Sequence, residues 1–373
     1  MDGLYLRELK LKNFRNYKEQ ALNPSRGFNL LLGNNAQGKT NLIEAIYLLS
    51  SGRSYRTPVD SELLRWGADT LYIKGAVVEE GGEKSIEIGI RGSNKRVKVN
   101  GVQLSKRGEL FGKLTTVIFS PDELKLVKEG PNYRRKFMDQ EIIQIKPAYY
   151  YVLTGYNKVL SQRNSLLKDS MKGRANIDTL EVWDKQLTEY GVRLIYDRQR
   201  FIKRLSGFAK QMHSKITNGQ EDLEVTYQCC VGPKEEESLS DIRSRFGKRL
   251  QSFRGRDFKT GVTNFGPHRE DLSVNVNGID VRKYGSQGQQ RTAALSMKLS
   301  EIELVKSETG EYPVLLLDDV MSELDLLRQE YILGNLARVQ TFITCTHLTG
   351  VMKKRCDKGK VFNVNSGIIT TEG

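Results

Sequence analysis

The N-terminal part of the chain contains two kinds of hydrophobic pattern. Apolar and basic residues alternate over positions 4–14, which is the two-residue period of a strand with one buried face. The segment Phe28–Leu32 is almost entirely apolar and predicts a central parallel strand covered on both faces. Leucines and isoleucines at positions 41–50 predict a helix with a buried side, which Gly52 is placed to end. The pattern therefore indicates a strand, a short loop and a helix in succession.

Two Asn-Gly pairs mark β-hairpins in distant parts of the chain. Asn100-Gly101 and Asn277-Gly278 each lie between short apolar segments, and this dipeptide favours the type I′ turn between antiparallel strands. From about residue 121 to residue 258 the sequence is instead long, charged and mainly helical in pattern. We therefore predict an α/β domain formed by residues 1–120 and 259–373, with residues 121–258 inserted as a mainly helical domain.

The charge of the chain is strongly positive. The 59 Lys and Arg exceed the 45 Asp and Glu, which gives a formal net charge of +14. A field of this sign attracts polyanions, so nucleic acid is the first partner class to consider, with a merely solubilising surface as the alternative. Two basic runs in the inserted part predict either nucleic-acid contacts or solvated helix faces. The runs are Arg193, Arg198, Arg200, Lys203, Arg204, Lys210 and Lys215, and then Arg243, Arg245, Lys248, Arg249, Arg254, Arg256 and Lys259.

The cysteines and the N-terminal residues bear on the compartment. Cys229, Cys230, Cys345 and Cys356 contain no CxxC pair, so neither a zinc site nor a redox couple is indicated. Charged residues interrupt every apolar run near the N-terminus, and no segment has the length of a membrane span. We expect a reduced, cytoplasmic protein with no membrane partner.

The loop after the predicted strand has the phosphate-binding pattern GxxxxGK[ST]. It reads Gly33-Asn34-Asn35-Ala36-Gln37-Gly38-Lys39-Thr40. Glycines let such a loop turn its backbone N–H groups toward phosphate oxygens, and the helix that follows adds its dipole. Lys39 would supply a charge for the β- and γ-phosphates and Thr40 a hydroxyl for Mg²⁺. The position between an apolar strand and an apolar helix predicts an ATP site and not an accidental glycine turn.

A second apolar segment, Val314–Leu317, ends in the carboxylates Asp318 and Asp319. A buried strand that ends in acidic residues is costly without a cation. We expect Asp318 to hold Mg²⁺ through water and Asp319 to act as general base for an attacking water. An ordinary Asp-rich turn is the alternative.

The segment Ser286-Gln287-Gly288-Gln289 precedes another helical pattern. Ser286 and Gln289 have capping-box spacing, so a well-capped helix is one interpretation. In this order, the glycine loop, this tetrad and the acidic strand resemble the ABC ATPases, in which such a Ser and Gly contact the γ-phosphate bound by a partner subunit. The resemblance also implies that Asp325 lies on a loop crossing the dimer interface and that His347 senses the γ-phosphate. A helix cap and a structural histidine are the alternatives.

The chain is similar, more narrowly, to the SMC-like branch of the ABC ATPases and within it to the bacterial RecF family. The similarity rests on the segment Leu11-Lys12-Asn13-Phe14-Arg15-Asn16-Tyr17, on Phe119-Ser120-Pro121-Asp122-Glu123-Leu124 followed by Gly130-Pro131-Asn132-Tyr133-Arg134-Arg135, and on Gly266-Pro267-His268-Arg269. It implies an ABC/SMC-type ATPase head, a P-loop core with mixed sheets, that carries an inserted mainly helical arm.

The same similarity implies a function. The expected protein is an ATP-dependent homodimer that binds double-stranded DNA and gapped or single-stranded junctions. With RecO- and RecR-type mediators it would place RecA on gapped DNA, supporting replication and the SOS response. Another SMC-like DNA clamp ATPase without this loading role is the alternative.

Two departures from the wider ABC pattern concern hydrolysis. Asp319 stands where a Glu is usual, so the base lies farther from its water and slow, DNA-dependent hydrolysis is expected. Ser120-Pro121 occupies the place of a Gln loop. Three other classes of protein are alternatives. Zinc-hook ATPases need a CxxC and a long coiled coil, a transporter subunit leaves the charge of +14 unexplained, and a static DNA clamp would bind ATP without useful hydrolysis.

Overall fold

The computed structural model describes residues 3–121, 125–172, 179–232, 238–336, 338–355 and 359–371, so that Cys356 and the Asp122-Glu123-Leu124 part of the family segment lie outside the described residues. The chain divides into two compact units. The first unit comprises Met1–Glu123 and Glu301–Gly373, and the second comprises Leu124–Ser300.

The first unit contains an antiparallel sheet of six strands. Its order is β2-β1-β4-β5-β6-β7. The strands are β1 (Tyr5–Phe14), β2 (Tyr17–Leu22), β4 (Thr70–Glu79), β5 (Gly82–Arg91), β6 (Asn94–Val99) and β7 (Val102–Gln103). The Asn100-Gly101 turn is confirmed, since Val99 pairs with Val102 and both turn residues have positive φ.

A second six-stranded sheet in the same unit has the order β15-β14-β3-β13-β12-β8. Every neighbouring pair from β14 to β8 is parallel, and β15 is antiparallel to β14. The strands are β3 (Phe28–Leu32), β8 (Thr116–Phe119), β12 (Val314–Leu317), β13 (Thr341–Cys345), β14 (Lys360–Asn365) and β15 (Ile368–Thr371). All four residues of β12 and all five of β13 are buried, as continuous apolar strands in a covered sheet should be.

The first unit also contains the helices α1 (Lys39–Ser51), α9 (Leu326–Asn335) and α10 (Gly350–Arg355), together with the last part of α8 (Gln287–Thr309). Helix α1 contacts strands of both sheets, and its apolar side chains share one core with them. Gly52 ends α1 in the left-handed conformation, φ 67°, as its position in the sequence predicted. This packing fixes the N-terminus of α1 against the edge of the parallel sheet.

The second unit is mainly helical. Its helices are α2 (Lys125–Lys128), α3 (Pro131–Ile145), α4 (Ala148–Met171), α5 (Leu180–Ile216), α6 (Leu239–Thr260), α7 (Val281–Tyr284) and the first part of α8 (Gln287–Thr309). A three-stranded antiparallel sheet, β11-β10-β9, is formed by β9 (Leu223–Gln228), β10 (Asp271–Val276) and β11 (Ile279–Asp280). The Asn277-Gly278 turn joins β10 to β11 with positive φ at both residues. None of the helices in the described ranges is both long and apolar enough to cross a membrane.

The second unit is larger than the sequence predicted. We expected residues 259–373 to return to the α/β domain, whereas the division falls at Glu301, inside α8. The reason is strand pairing, because β10 pairs along its whole length with β9, which directly follows the inserted helices. The predicted first boundary, near residue 120, lies close to the observed one.

Buried ion pairs hold the long helices of the second unit together. Arg163, on α4, donates to Asp184 and Asp257, and the arginine side chain is completely buried. Arg198, on α5, donates to Asp139 and Glu270 and is likewise buried. Arg198 is therefore not available to nucleic acid, which corrects its place in the first basic run. Helical phase explains the difference, because Arg198 lies on the same side of α5 as its apolar residues.

Candidate functional site

The glycine loop joins the end of β3 to α1, and two of its glycines are required by close contacts. A Cβ at Gly33 would lie 2.2 Å from the backbone oxygen of Val364, on the neighbouring strand β14. Gly38 has φ 120° and lies against the side chains of Asn16 and Tyr17. Ala36 also adopts positive φ, 64°. The loop is thus held in one compact turn at the carboxyl edge of the parallel sheet.

Lys39 extends back along this loop. Its Nζ donates to the carbonyl oxygens of Gly33 at 2.6 Å and Asn34 at 2.8 Å. Burial lowers the pKa of Lys39, and the nearby carboxylates of Asp319 and Asp318 oppose that effect. The ammonium group therefore lies against the glycine loop.

Thr40 and Asp318 meet directly, although they are far apart in sequence. The Thr40 hydroxyl donates to Asp318 Oδ1 at 2.8 Å, and Thr344 donates to the same oxygen at 3.1 Å. Tyr55 donates to the other carboxylate oxygen at 3.0 Å. Burial raises the pKa of Asp318, whereas these three hydrogen bonds lower it. A hydroxyl beside a carboxylate is the hard oxygen set that Mg²⁺ binds next to phosphates, so these residues fit the predicted metal.

Two other predicted residues, Asp319 and His347, lie at the same sheet edge. Asp319 is exposed just after β12, has φ 56° and accepts a hydrogen bond from Ser322. His347 is exposed two residues after β13 and contacts Thr346. Because β3, β13 and β12 are parallel neighbours, their carboxyl ends bring Gly33, Asp318 and the His347 segment to one edge. Asp325 caps α9 by accepting from the Arg328 N–H at 2.9 Å, which is the alternative interpretation given for it above.

The family segment around Asn16 supports the loop from outside. Tyr17 donates to the backbone oxygen of Gly38 and Asn16 to that of Gln37, both at 2.8 Å. The side chain of Gln37 accepts from the N–H of Ser366, between β14 and β15, at 2.7 Å. Neither these contacts nor Tyr55 and Thr344 were predicted. For Asn16 and Tyr17 the signal in the sequence was the family resemblance of residues 11–17, whereas Tyr55 and Thr344 lie outside that segment.

Arg15, in the same segment, forms a bidentate ion pair with Glu44 of α1. Its Nε lies 2.8 Å from Glu44 Oε2 and its Nη2 lies 2.7 Å from Oε1. The Glu44 side chain is completely buried, and Arg56 approaches it at 3.4 Å. A buried carboxylate needs such a partner, so this pair fixes α1 against the turn between β1 and β2. The residues of the family segment around Arg15 and Asn16 therefore hold the loop and its helix.

The signature tetrad lies in the second unit, at the start of α8. Ser286 Oγ accepts from the Gln289 N–H at 3.2 Å, and Gln289 Oε1 accepts from the Ser286 N–H at 3.0 Å. This is the capping box that the spacing predicted. Ser286 and Gly288 are exposed, and a Cβ at Gly288 would meet nothing closer than 3.8 Å. The turn therefore presents the Ser hydroxyl and a glycine to solvent.

The Gly-Pro-His-Arg segment is a structural cluster of the second unit. His268 accepts from the Tyr156 hydroxyl through Nδ1 at 2.7 Å and donates through Nε2 to the Thr263 oxygen at 2.9 Å. Gly266 has φ 132°, and a Cβ there would lie 2.6 Å from the Tyr156 hydroxyl. Burial lowers the pKa of His268 to about 4.

Several cations of the two basic runs form ion pairs, and most members of both runs are exposed. Arg243 pairs with Glu189, Arg254 with Asp184 and Lys210 with Asp222. Further exposed cations lie along α5 and α6. They are Arg193, Arg200, Lys203, Arg204 and Lys215, and Lys248, Arg249, Arg256 and Lys259. The helical phase thus selects which cations face solvent.

Comparison with known proteins covers almost the whole chain. The family described as RecF/RecN/SMC N terminal domain matches residues 5–370. A protein of Alkaliphilus oremlandii named DNA replication and repair protein RecF is 49% identical over 98% of this chain and 100% of its own. One of Acetivibrio thermocellus with the same name is 48% identical over 92% of this chain and 93% of its own.

Solved structures give the same result. One described as the recombination mediator protein RecF-ATPrS in the RecFOR pathway has a TM-score of 0.93, 44% identity and coverage of 100% and 99% of the two chains. An Smc head domain from Pyrococcus furiosus shares the fold, with a TM-score of 0.57. It is 16% identical over 99% of this chain and 96% of its own. These matches confirm the predicted ABC/SMC-type α/β fold. The chain belongs to the RecF family of the RecF/RecN/SMC proteins.

Proposed function

We propose that this chain is an ATP-switched, DNA-binding recombination mediator of DNA repair. Its nearly full-length relatives are named DNA replication and repair protein RecF, and the matching solved structures are described as RecF with ATP in the RecFOR pathway. Identity to SMC heads is only 13–16%, so the alternative of another SMC-like clamp is less well supported. The positive charge of +14 fits a DNA partner.

One observation carries the nucleotide part of this proposal: the Thr40 hydroxyl and the Asp318 carboxylate lie 2.8 Å apart beside the loop that holds Lys39. Residues Gly33 to Thr40 would enclose the phosphates of ATP with their backbone N–H groups. Lys39 would bind the β- and γ-phosphates, and Thr40 and Asp318 would hold Mg²⁺, Asp318 through water. When bound, Mg²⁺ would neutralise phosphate charge and polarise the γ-phosphate.

Each chain would contribute to two ATP sites in a head-to-tail homodimer. Ser286 and Gly288, with Gln289 fixing the turn, would contact the γ-phosphate held by the partner chain, and Asp325 would lie at the interface. His347 would contact the γ-phosphate in its own chain. Asp319 would orient and deprotonate the attacking water, and its short side chain would make hydrolysis slow enough to act as a switch.

ATP would favour the dimer only to the extent that its affinity for the dimer exceeds its affinity for a single chain. Two basic surfaces brought together contact more phosphates, so DNA affinity should depend more steeply on salt with ATP than without it. The DNA partner would be double-stranded with gaps or single-stranded junctions, and RecO- and RecR-type proteins would cooperate in loading RecA. We place this activity in the cytoplasm, in replication-linked repair and SOS induction.

Mixing two inactive variants tests the shared site. Lys39→Ala disables the loop and Ser286→Arg disables the signature turn, so each variant alone should lose ATP turnover. In a mixed dimer one site keeps both wild-type halves. An equal mixture should recover about a quarter of wild-type turnover, because about half of random pairs are mixed and each has one intact site of two.

The matched control replaces the Lys39→Ala chain by the double variant Lys39→Ala/Ser286→Arg, which leaves no intact site in any pair. Sedimentation with ATP and a gapped duplex reports dimers and DNA binding in the same samples. Absence of recovery in the first mixture, with both variants folded and Ser286→Arg still binding ATP, would refute sharing of the site.

A further inference from the structure

A buried histidine, His213, lies on α5, one of the two helices that carry exposed cations. Arg193, Arg200, Arg204 and Lys215 are spaced by 7, 4 and 11 residues, which places them along one exposed side of α5, here called the α5 cationic face. His213 belongs to the same helix but is on its opposite side, with a completely buried side chain. Its contacts connect α5 to the helix that begins at the signature turn.

The first contact of His213 is with α8. Its Nδ1 lies 3.0 Å from the hydroxyl of Ser296, which is also completely buried. Its Nε2 lies 3.2 Å from Glu221 Oε2, just before β9. Burial lowers the pKa of His213, and Glu221 opposes that effect. A neutral ring protonated on Nε2 donates to Glu221, and its Nδ1 faces the Ser296 hydroxyl, which itself donates to the Thr292 carbonyl oxygen at 2.7 Å.

The second half of the connection begins at the same carboxylate. Glu221 Oε1 accepts from Gln289 Nε2 at 2.9 Å. The other end of the Gln289 amide accepts from the Ser286 N–H at 3.0 Å. Both ends of this amide are thus occupied, one by Glu221 and one by the signature turn. A displacement of α5 that moved His213 would therefore reach Ser286 through two side chains.

We propose that Glu221 and His213 are positioning residues that couple occupancy of the α5 cationic face to the orientation of Ser286 toward the partner's ATP. The inference rests on the proposed function, because it takes DNA as the ligand of that face and Ser286 as the shared ATP contact. Polyanion binding along α5 would change the position of His213, and the carboxylate of Glu221 would transmit the change to Gln289. DNA would then alter ATP turnover without any contact to the nucleotide.

The test compares the DNA-stimulated ATP turnover with the basal turnover. Glu221→Ala removes both acceptors and should lower the ratio of stimulated to basal turnover about tenfold, within the usual range of couplings between sites. Affinities for ATP and for a gapped duplex should remain within about twofold, because neither binding surface is changed. Glu221→Gln should restore most of the coupling, since the amide oxygen can still accept from Gln289 while His213 changes tautomer.

The adjacent acid provides the matched control. Asp222 is exposed and pairs with Lys210 at the surface, so Asp222→Ala should leave the ratio unchanged. A normal ratio of stimulated to basal turnover in Glu221→Ala overturns the proposal. An equal loss of basal and stimulated turnover in both Glu221 variants also overturns it, because a merely structural role predicts that result. Failure of the proposed function looks different, because the wild-type chain would then show no ATP-dependent dimer and no stimulation by DNA.

Discussion

Replacement of His268 by glutamine should remove an acid sensitivity from the second unit. The ring of His268 is held neutral, because it donates to Thr263 through Nε2 and accepts from Tyr156 through Nδ1. Adding a proton would place a donor against the Tyr156 hydroxyl in a buried place. Burial lowers the pKa of His268 from its ordinary value of 6.5 to about 4, and the hydrogen bond to Thr263 opposes that effect.

The size of the effect follows from proton linkage. Between pH 6.5 and pH 4 the unfolded chain binds a proton that the folded chain does not, so stability is complete above pH 6.5 and falls as the pH is lowered. One pKa unit corresponds to about 1.4 kcal/mol, so the whole shift amounts to about 3 kcal/mol. About 2 kcal/mol of it is lost on going from neutral pH to pH 5. Glutamine keeps one donor and one acceptor but does not titrate.

Two measurements test this reasoning. The chain has three histidines, so a ring-proton NMR titration of wild type and His268→Gln assigns the His268 signal by its disappearance. Denaturant unfolding followed through Trp183 in α5, in a Trp66→Phe background, reports the second unit. Wild type should lose about 2 kcal/mol more stability than the variant between pH 7.5 and pH 5. A His268 signal that titrates near pH 6.5, or equal losses in the two proteins, would refute the argument.

Two further predictions concern the loop and its supports. Arg15→Met leaves the buried Glu44 carboxylate without its main partner and should lower the free energy of unfolding by about 3 kcal/mol in denaturant titration. Arg56→Met removes a longer and more exposed contact and should lower it by less than about 1 kcal/mol. Equal losses would contradict the role of Arg15 as the main partner of Glu44. Gly33→Ala forces a Cβ onto the Val364 oxygen, so the loop must shift and ATP binding measured by calorimetry should weaken at least about tenfold. Gly288→Ala places its Cβ in open space and should keep the ATP affinity of a single chain. Tight ATP binding by folded Gly33→Ala would count against the close approach.

Local patterns predicted the elements that depend on neighbouring residues. The strand, loop and helix from Phe28 to Ser51, the two Asn-Gly turns and the left-handed Gly52 all follow from short-range rules. Asp318 was predicted as well, because a buried strand that ends in a carboxylate is unusual.

Contacts between distant segments could not be predicted in the same way. Tyr55 and Thr344 reach Asp318 across 263 and 26 residues, and no local rule pairs them. The sequence of the basic run on α5 shows that Arg198 is charged but not whether its side chain faces solvent. That depends on which side of the helix is buried. The compact units divide at Glu301 and not at the predicted residue 259, because the partner of β10 is set by strand pairing and not by composition.

The neighbours of β3 have a consequence for biosynthesis. Strand β3 lies between β13 and β14, which are formed by residues 341–345 and 360–365, and the loop that follows β3 is also held through Ser366. A nascent chain that has reached residue 300 contains the whole glycine loop but none of the strands that flank β3. We therefore expect the loop to acquire its folded shape only after residues 341–366 have left the ribosome. Nucleotide binding then distinguishes chains that contain residues 341–366 from chains that terminate before them.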